Sequence, residues 1–139
     1  MKKKICGVFS LGVLLSILCL VLAGCGGGSS DGGGTPTSSV EVVDCSTIQT
    51  PAATVTALSS AFTPTTVTIP VNGVVRWTSA SALAHTVTSG TAPSADGKFN
   101  ESLNTNGSSV CLKFTTAGTY NYYCTFHYAM GMTGVVTVQ

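Results

Sequence analysis

The residues best suited to chemistry lie in one short stretch of the chain, YYCTFHYAMGMTGVVTV. Within it, His127 follows Cys124 by three positions, and two methionines, Met130 and Met132, come next. The only other histidine in the sequence is His85. A thiolate with imidazoles suits copper, zinc or iron, whereas an added thioether favours soft, redox-active copper. This set of side chains therefore predicts a copper site made from two histidines, one cysteine and one methionine.

The spacing of these residues makes a demand on the surrounding structure. A short loop that joins two neighbouring strands can direct Cys124, His127 and a methionine at one point. The fourth side chain must then come from the end of another strand, where His85 is expected. In the competing interpretation, Cys124 forms a disulfide and His127 is an ordinary surface histidine. The presence of His85 and of a methionine in addition to the Cys-x₂-His pair favours the metal site.

The N-terminal residues predict export from the cytoplasm. Met1 is followed by three lysines and then by an apolar run from Val8 to Ala23, which is the pattern of a secretory signal. The letters LAGC that end at Cys25 resemble a bacterial lipobox. Residues 1–24 are therefore predicted to be a lipoprotein signal peptide, and Cys25 is predicted to carry a lipid anchor in the cell envelope, facing the periplasm or the cell exterior. An ordinary cleaved signal and an uncleaved membrane helix are the alternatives.

Residues 25–39 read CGGGSSDGGGTPTSS and contain no large apolar side chain. Such a segment cannot offset the entropy cost of ordering, so it is predicted to be a flexible tether. Residues 40–139 are then a single domain. Without residues 1–24, the chain has three basic and five acidic side chains, a net charge of −2. This balance argues against nucleic acid as a partner.

Cysteine counting bears on the metal site. After Cys25, the mature chain contains Cys45, Cys111 and Cys124, an odd number in an oxidising compartment. One of these three must stay unpaired or bind metal. A disulfide between Cys45 and Cys111 would tie the N-terminal segment to a core strand and leave Cys124 for metal. The count alone leaves the other pairings open.

The domain is rich in Thr, Val and Ser and poor in helix formers, which predicts strands. Val67–Ile69 and Val74–Thr78 are predicted to pair around a turn at Asn72-Gly73, with Trp77 packed inside. Residues 91–107 are polar and irregular and are predicted to be a loop. Short strands with frequent turns predict an all-β, antiparallel Greek-key β-sandwich. Its further strands are expected at Val110–Phe114, Tyr120–Cys124 and Gly134–Val138.

From about Ala61 to Gln139, the sequence resembles the plastocyanin-like cupredoxins, a family of blue-copper proteins. Three segments carry the resemblance: AFTPTTVTIPVNGVVRWTS, HTVTSG and GTYNYYCTFHYAMGMTGVVTV. The resemblance implies a cupredoxin-like sandwich and one type 1 copper ion. The implied ligands are His85, Cys124, His127 and Met132.

The resemblance also bears on the choice of methionine. Met130 stands three residues after His127, as in amicyanin, and Met132 stands five after it, as in plastocyanin. The run from Met132 into the last strand, MTGVV, favours Met132 as the axial ligand. The family likeness further implies that electrons leave through the edge of His127. An apolar rim for docking would surround it, formed by Tyr128, Ala129 and Met130.

Two positions depart from the family pattern. Phe126 stands where proline is often found between the cysteine and the second histidine, and Thr86 stands where asparagine often follows the first. Phe126 keeps a backbone N–H that proline lacks and that is available to donate to the sulfur of Cys124. Hydrogen bonds around a ligand tune a metal centre, so these two departures are predicted to affect the reduction potential.

These features predict a one-electron carrier that meets redox proteins, such as a cytochrome or a copper enzyme, through a transient interface. The alternative is a copper-binding module for storage, sensing or delivery without electron transfer. Catalysis is not expected, because copper oxidases and nitrite reductases need further histidines and this chain contains two. A zinc-bearing or metal-free adhesion domain would be colourless.

Overall fold

The computed structural model describes residues 38–139, which form ten β-strands and two short 3₁₀ turns. The predicted signal peptide, Cys25 and the tether up to residue 37 lie outside the described residues. In the part of the chain that the structure describes, no helix has the length and apolar character needed to cross a membrane. The strands are β1 Val40–Val43, β2 Ala53–Ala57, β3 Phe62–Thr63, β4 Thr66–Ile69, β5 Val74–Ser79, β6 His85–Thr91, β7 Ser94–Leu103, β8 Ser109–Phe114, β9 Gly118–Tyr123 and β10 Thr133–Val138. The 3₁₀ turns are Cys45–Thr47 and Tyr128–Met130.

The strands form two five-stranded sheets that pack as a sandwich. The strand order is β1-β8-β5-β2-β3 in the first sheet and β4-β10-β9-β6-β7 in the second. The all-β, cupredoxin-like sandwich predicted from the sequence is therefore confirmed. Most neighbouring strands are antiparallel, but β2 pairs with β5 and β4 pairs with β10 in parallel. These parallel pairs arise where the chain crosses from one sheet to the other.

Aromatic side chains fill the space between the sheets. Trp77 is fully buried, as predicted, and the rings of Phe62 and Tyr122 are almost as inaccessible. The ring of Tyr122 lies edge-on to Phe62 at 4.9 Å and to Trp77 at 5.4 Å between centroids. Edge-to-face pairs of this kind stabilise a core beyond the burial of their area. Burial raises the pKa of Tyr122 to about 12, so the ring stays neutral near pH 7.

Gly134 on β10 makes room for this aromatic cluster. It pairs with Tyr122 on β9, and the phenol ring of Tyr122 crosses directly over it. A Cβ atom at Gly134 would lie 2.2 Å from Tyr122 Cζ, which is well inside van der Waals contact. The glycine is thus required by the close approach of a ring, which is one of the recognised roles of glycine in a strand.

The prediction of a loop at residues 91–107 is wrong. Most of this segment is β7, which pairs with β6 from His85↔Leu103 to Thr91↔Ser94. β7 is an edge strand, and in its register only Phe99 and Leu103 are buried. Its remaining side chains face solvent, so the segment lacks the alternation of apolar and polar residues by which a strand is recognised.

The prediction of a strand pair between residues 67 and 78 is wrong in its topology. The turn is present, with Asn72 at φ 67° and the Gly73 N–H donating to the Pro70 carbonyl at 2.9 Å. However, β4 and β5 belong to different sheets. Ile69 and Trp77 are both buried in the shared core. The turn carries the chain from one sheet to the other. Each of the two strands therefore directs its apolar side chains into the core between the sheets.

The N-terminal segment is fastened to the outside of the first sheet at two points. Cys45 and Cys111 form a disulfide with a Cα–Cα distance of 5.3 Å. Beside it, Arg76, which is the strand partner of Cys111, donates from Nη2 to the carbonyl oxygens of Cys45, at 2.9 Å, and of Ile48. The covalent bond and the guanidinium therefore hold the same turn.

Removal of this disulfide is expected to destabilise the domain without changing its fold. The bond closes a loop with a sequence separation of 66 residues, for which the chain-entropy model gives about 4 kcal/mol. We expect the Cys45→Ala/Cys111→Ala variant to lose roughly 2–4 kcal/mol in urea unfolding followed by fluorescence.

The matched control is the wild-type protein treated with a thiol reductant, which breaks the bond and leaves the packing atoms in place. It should show most of the same loss. An unchanged unfolding midpoint after verified reduction would contradict the assignment of a stabilising role to this bond.

Candidate metal centre

Strand pairing brings the predicted metal ligands to one end of the sandwich. His85 is the first residue of β6, and Cys124 directly follows the last residue of β9. These two strands are antiparallel neighbours, with Thr88 opposite Tyr123. The start of β6 and the end of β9 therefore lie at the same edge. We call this end of the domain the ligand pole, defined by His85 and the loop 124–132 between β9 and β10.

Three ligand atoms meet at this pole. The sulfur of Cys124 lies 3.4 Å from Nδ1 of His127 and 3.8 Å from Nδ1 of His85. One ligand atom from each of the three residues lies within 4.8 Å of the others. A metal ion that is ~2.0–2.3 Å from each of three such donors keeps pairs of donors roughly 3.5–4 Å apart. The side chains are thus spaced to hold one ion.

The surroundings of these side chains also fit a metal. His85 and Cys124 are fully buried and His127 is half-buried. Among residues 38–139, Cys124 has no disulfide partner, whereas Cys45 and Cys111 are bonded to each other. Burial, and secondarily the nearby His127, lowers the pKa of His85. Its imidazole is therefore held neutral near pH 7, the form in which a histidine can bind metal.

Backbone hydrogen bonds hold the ligand loop in shape. The N–H of Cys124 donates to the carbonyl of Met132 at 3.0 Å, and the N–H of Met132 donates to the carbonyl of His127 at 3.3 Å. The N–H of Tyr128 returns to the carbonyl of Cys124 at 2.9 Å. Gly131, at φ 86°, supplies the left-handed residue that lets the chain turn back into β10. The protein's own backbone therefore supplies the hydrogen bonds that hold this loop in shape.

The structure separates the two methionines by burial. Met132 has no exposed surface and belongs to the same buried cluster as Cys124, whereas Met130 is 61% exposed. A weak axial thioether must lie inside the pole, next to the sulfur and the imidazoles. The burial of Met132 and its backbone bond with Cys124 favour this residue over Met130.

The sulfur of Cys124 accepts a hydrogen bond from a donor that the sequence analysis did not anticipate. The backbone N–H of Thr86 lies 3.4 Å from the sulfur. Among the described residues, the backbone N–H of Phe126, which the sequence analysis named as a possible donor, makes no hydrogen bond to this sulfur. The side chain of Phe126 is 62% exposed. Thr86 follows His85 directly, so β6 supplies both a ligand and the sulfur's hydrogen-bond donor.

The surface of the ligand pole is apolar and carries no formal charge. The segments 77–95 and 114–139, which include His85 and the loop 124–132, contain no Asp, Glu, Lys or Arg. Around the half-buried His127, apolar side chains protrude. The predicted rim of Tyr128, Ala129 and Met130 is exposed. The structure adds two exposed apolar side chains that the sequence analysis missed: Phe126, whose ring centroid lies 6.3 Å from that of His127, and Leu83, two residues before His85. The lack of charged residues in these two segments of the sequence could have predicted this wider apolar rim.

Comparison with known proteins assigns this arrangement to a family. Residues 50–139 match the family profile described as copper binding proteins, plastocyanin/azurin family. Plastocyanin from Scenedesmus fuscus is 36% identical over 84 residues, which cover 56% of this chain and 86% of that protein. Chloroplastic plastocyanin from Tetradesmus obliquus is 38% identical over 84 residues, which cover 56% of this chain and 58% of that protein.

Solved structures show the same fold. A purple cupredoxin from Nitrosopumilus maritimus superposes with a TM-score of 0.56 at 28% identity, covering 63% of this chain and 99% of that one. A variant of amicyanin superposes with a TM-score of 0.60 at 22% identity, covering 73% of this chain and 99% of its own.

Exchange of the two methionines for leucine is expected to separate their roles. Leucine conserves volume, so either substitution should cost less than about 1.5 kcal/mol of stability. In the copper-loaded protein, Met132→Leu removes a thioether donor from copper(II) and should raise the reduction potential. We expect a shift of roughly tenfold in the reduction equilibrium, about 59 mV for one electron.

Met130→Leu is the matched control and should leave the potential and the visible spectrum of the copper-loaded protein unchanged. Voltammetry of both variants makes the comparison. A larger effect at Met130 than at Met132 would reverse the assignment of the axial position.

Proposed function

This chain belongs to the plastocyanin/azurin family of copper-binding proteins, and we propose that it carries single electrons between redox partners in the cell envelope. One observation carries the proposal: the buried sulfur of Cys124 lies within 4 Å of Nδ1 of both histidines, at 3.4 and 3.8 Å. Thiolate, two imidazoles and a buried methionine form the donor set of a redox-active copper site rather than that of a structural zinc site.

In this proposal His85, Cys124 and His127 would hold copper, and the thioether of Met132 would be its fourth, weaker donor. Copper bound there supplies one-electron exchange between Cu(II) and Cu(I). The protein's contribution is rigidity. Its ligands come from a strand and from a loop closed by its own backbone hydrogen bonds. Ligands that cannot move far keep the site close to one geometry in both oxidation states, and this favours fast electron transfer.

Electrons would enter and leave through the exposed edge of His127. Its ring is the one ligand of the three that reaches the surface, and it lies inside the apolar rim formed by Leu83, Phe126, Tyr128, Ala129 and Met130. A small apolar rim without charged pairs allows contact that forms and breaks quickly. A redox protein, such as a cytochrome or a copper enzyme, is the partner that suits such a surface.

We also propose that the protein works outside the cytoplasm, anchored by a lipid on Cys25. The signal-like N-terminus supports this location, as does the disulfide between Cys45 and Cys111, because such bonds persist in oxidising compartments. One of the relatives is named as a chloroplastic protein. The free Cys124 in the same compartment is then protected from oxidation by burial and by the bound ion.

We do not propose an enzyme. Both histidines of the chain are used in the one site, so no imidazole is left to build a second metal centre. Cys124 has no exposed surface from which to attack a substrate. A role in copper storage or delivery uses the same ligands, but it does not require reversible redox chemistry.

Addition of copper(II) to the purified protein is expected to produce an intense visible absorption band. The band arises from charge transfer from the Cys124 thiolate to copper(II), so Cys124→Ser should abolish it. Zinc-loaded protein, which fills the same ligands without a redox-active ion, is the colourless control. A colourless copper adduct, or a band that survives Cys124→Ser, would sink the copper assignment. A blue protein that cannot be reduced and reoxidised would instead support storage or delivery.

Electron self-exchange between copies of the copper-loaded protein should depend little on salt. Two uncharged ligand poles must meet, so the rate constant should change less than about threefold between about 20 mM and about 500 mM salt. Met130→Lys places like charges on both faces and should slow exchange roughly tenfold at low salt, with recovery as salt rises.

Met130→Gln is the matched control, because it is polar and uncharged, and it should keep the weak salt dependence. Line broadening in nuclear magnetic resonance measures the rate in all three proteins. Strong salt dependence in the wild type would contradict docking through the ligand pole.

A further inference from the structure

A chain of polar side chains begins beside the ligand loop and ends on β7. The hydroxyl of Thr86 accepts the backbone N–H of Thr125 at 2.9 Å, and it donates to the hydroxyl of Thr125 at 3.2 Å. Thr88 Oγ1 lies 2.9 Å from Thr86 Oγ1 and 2.7 Å from Asn100 Oδ1. Thr88 and Asn100 are opposite each other in the β6–β7 pairing. The order along the chain is thus Asn100, Thr88, Thr86, Thr125.

Proton counting gives this chain a direction. Thr88 has one hydroxyl proton and two oxygen neighbours, so it cannot donate to both. If the amide of Asn100 turns its NH₂ toward Thr88, Thr88 can give its one proton to Thr86, and Thr86 can give its own to Thr125. The O and N atoms of an amide are assigned from just such networks. In this arrangement all the side-chain donors point toward the ligand loop.

Thr86 is the residue through which this chain reaches the sulfur. Its backbone N–H donates to Cys124 Sγ at 3.4 Å, and its hydroxyl holds the N–H of the next residue in the loop, Thr125. Thr86 and Thr88 are 8% and 3% exposed, so their hydroxyls depend on protein partners rather than on water. The Thr86 hydroxyl accepts from Thr88 and from the N–H of Thr125, so a loss at Thr88 would remove one of the two donors that orient it.

We propose that Thr88 and Asn100 are positioning residues that act through Thr86 to set the hydrogen bond on the Cys124 sulfur and thereby the reduction potential. Among the described residues, neither side chain has a hydrogen bond to His85, Cys124, His127 or Met132. Hydrogen bonding around the cysteine sulfur tunes such a centre, because an N–H donor stabilises negative charge on the thiolate and so favours Cu(I). This inference rests on the proposed copper site. It adds Thr88 from β6 and Asn100 from β7, a strand that supplies no ligand.

The variant Thr88→Val tests the proposal, since it removes the hydroxyl and keeps the shape. A net hydrogen bond is worth a factor of about two to ten in an equilibrium. We therefore expect the reduction equilibrium of the copper-loaded protein to shift about two- to tenfold toward Cu(II). In the metal-free protein, amide exchange of Thr86 and Thr125 should speed up by about the same factor. Thr88→Ser, which restores the hydroxyl, should recover both values.

The matched control is Thr68→Val on β4, at the opposite edge of the same sheet, where the threonine is exposed and its hydroxyl has no hydrogen bond among the described residues. It should change neither measurement. Asn100→Ala is a second test at an exposed position, where misfolding is not expected, and should act in the same direction as Thr88→Val. Because the groups act in series, the double variant should show little more than Thr88→Val alone.

The outcomes separate this proposal from the proposed function. Unchanged amide exchange and unchanged potential in both Thr88→Val and Asn100→Ala would overturn it. Faster exchange with an unchanged potential would also overturn it, because the chain would then hold the loop without tuning the sulfur. If the wild type forms no blue copper site, the proposed function fails, and amide exchange in the metal-free protein alone decides whether Thr88 and Asn100 position the loop.

Discussion

The antiparallel pairing of β6 with β9 is the constraint on which the site depends. It places His85, at the start of one strand, beside Cys124, at the end of the other, although 39 residues separate them in the chain. The short loop to β10 then needs to bring only His127 and Met132 back to the same point. A shift of this pairing by one residue would turn alternate side chains to the opposite face and separate the ligands. The ligand geometry is therefore a consequence of strand register.

The same pairing explains why the sandwich must be well packed. β9 contributes Tyr122 to the core at the position next to Tyr123 and two before Cys124, and the ring of Tyr122 lies against Trp77 from the other sheet. The same ring lies directly over Gly134 of β10, where an added Cβ atom would come within 2.2 Å of Tyr122 Cζ. Close packing thus holds the strand that carries the thiolate. Packing of the core therefore helps to fix the position of the metal-binding residues.

Charge and polarity are distributed unevenly over the domain. The seven charged side chains from residue 40 onward all lie outside the segments 77–95 and 114–139, which include the residues of the ligand pole. Inside the pole, polarity is supplied by neutral hydroxyls and backbone N–H groups, which can orient toward the sulfur without adding a fixed charge. This leaves the outer surface around His127 apolar, so the site can be tuned from within while the docking surface stays neutral.

Local sequence patterns suffice to predict the fold class and the types of the ligand residues. The sandwich class was predictable because its inner strands alternate apolar and polar residues, and the ligand types were predictable because Cys124, His127 and both methionines share one short loop. β7 was missed because an edge strand needs few apolar residues. The sheet assignment of β4 and β5 was missed because a turn motif specifies a reversal and does not specify which strands then pair.

By itself, the sequence determined the metal-donor side chains of this protein, the absence of charged residues near them in the chain, and the all-β class. Each of these features depends only on residue types and short spacings. Only the tertiary structure decided which methionine is buried, which N–H meets the sulfur and which residues support that N–H. The physical reason is distance along the chain. Thr86 meets Cys124 from 38 residues away and Thr125 from 39, and such contacts exist only once the strands have paired.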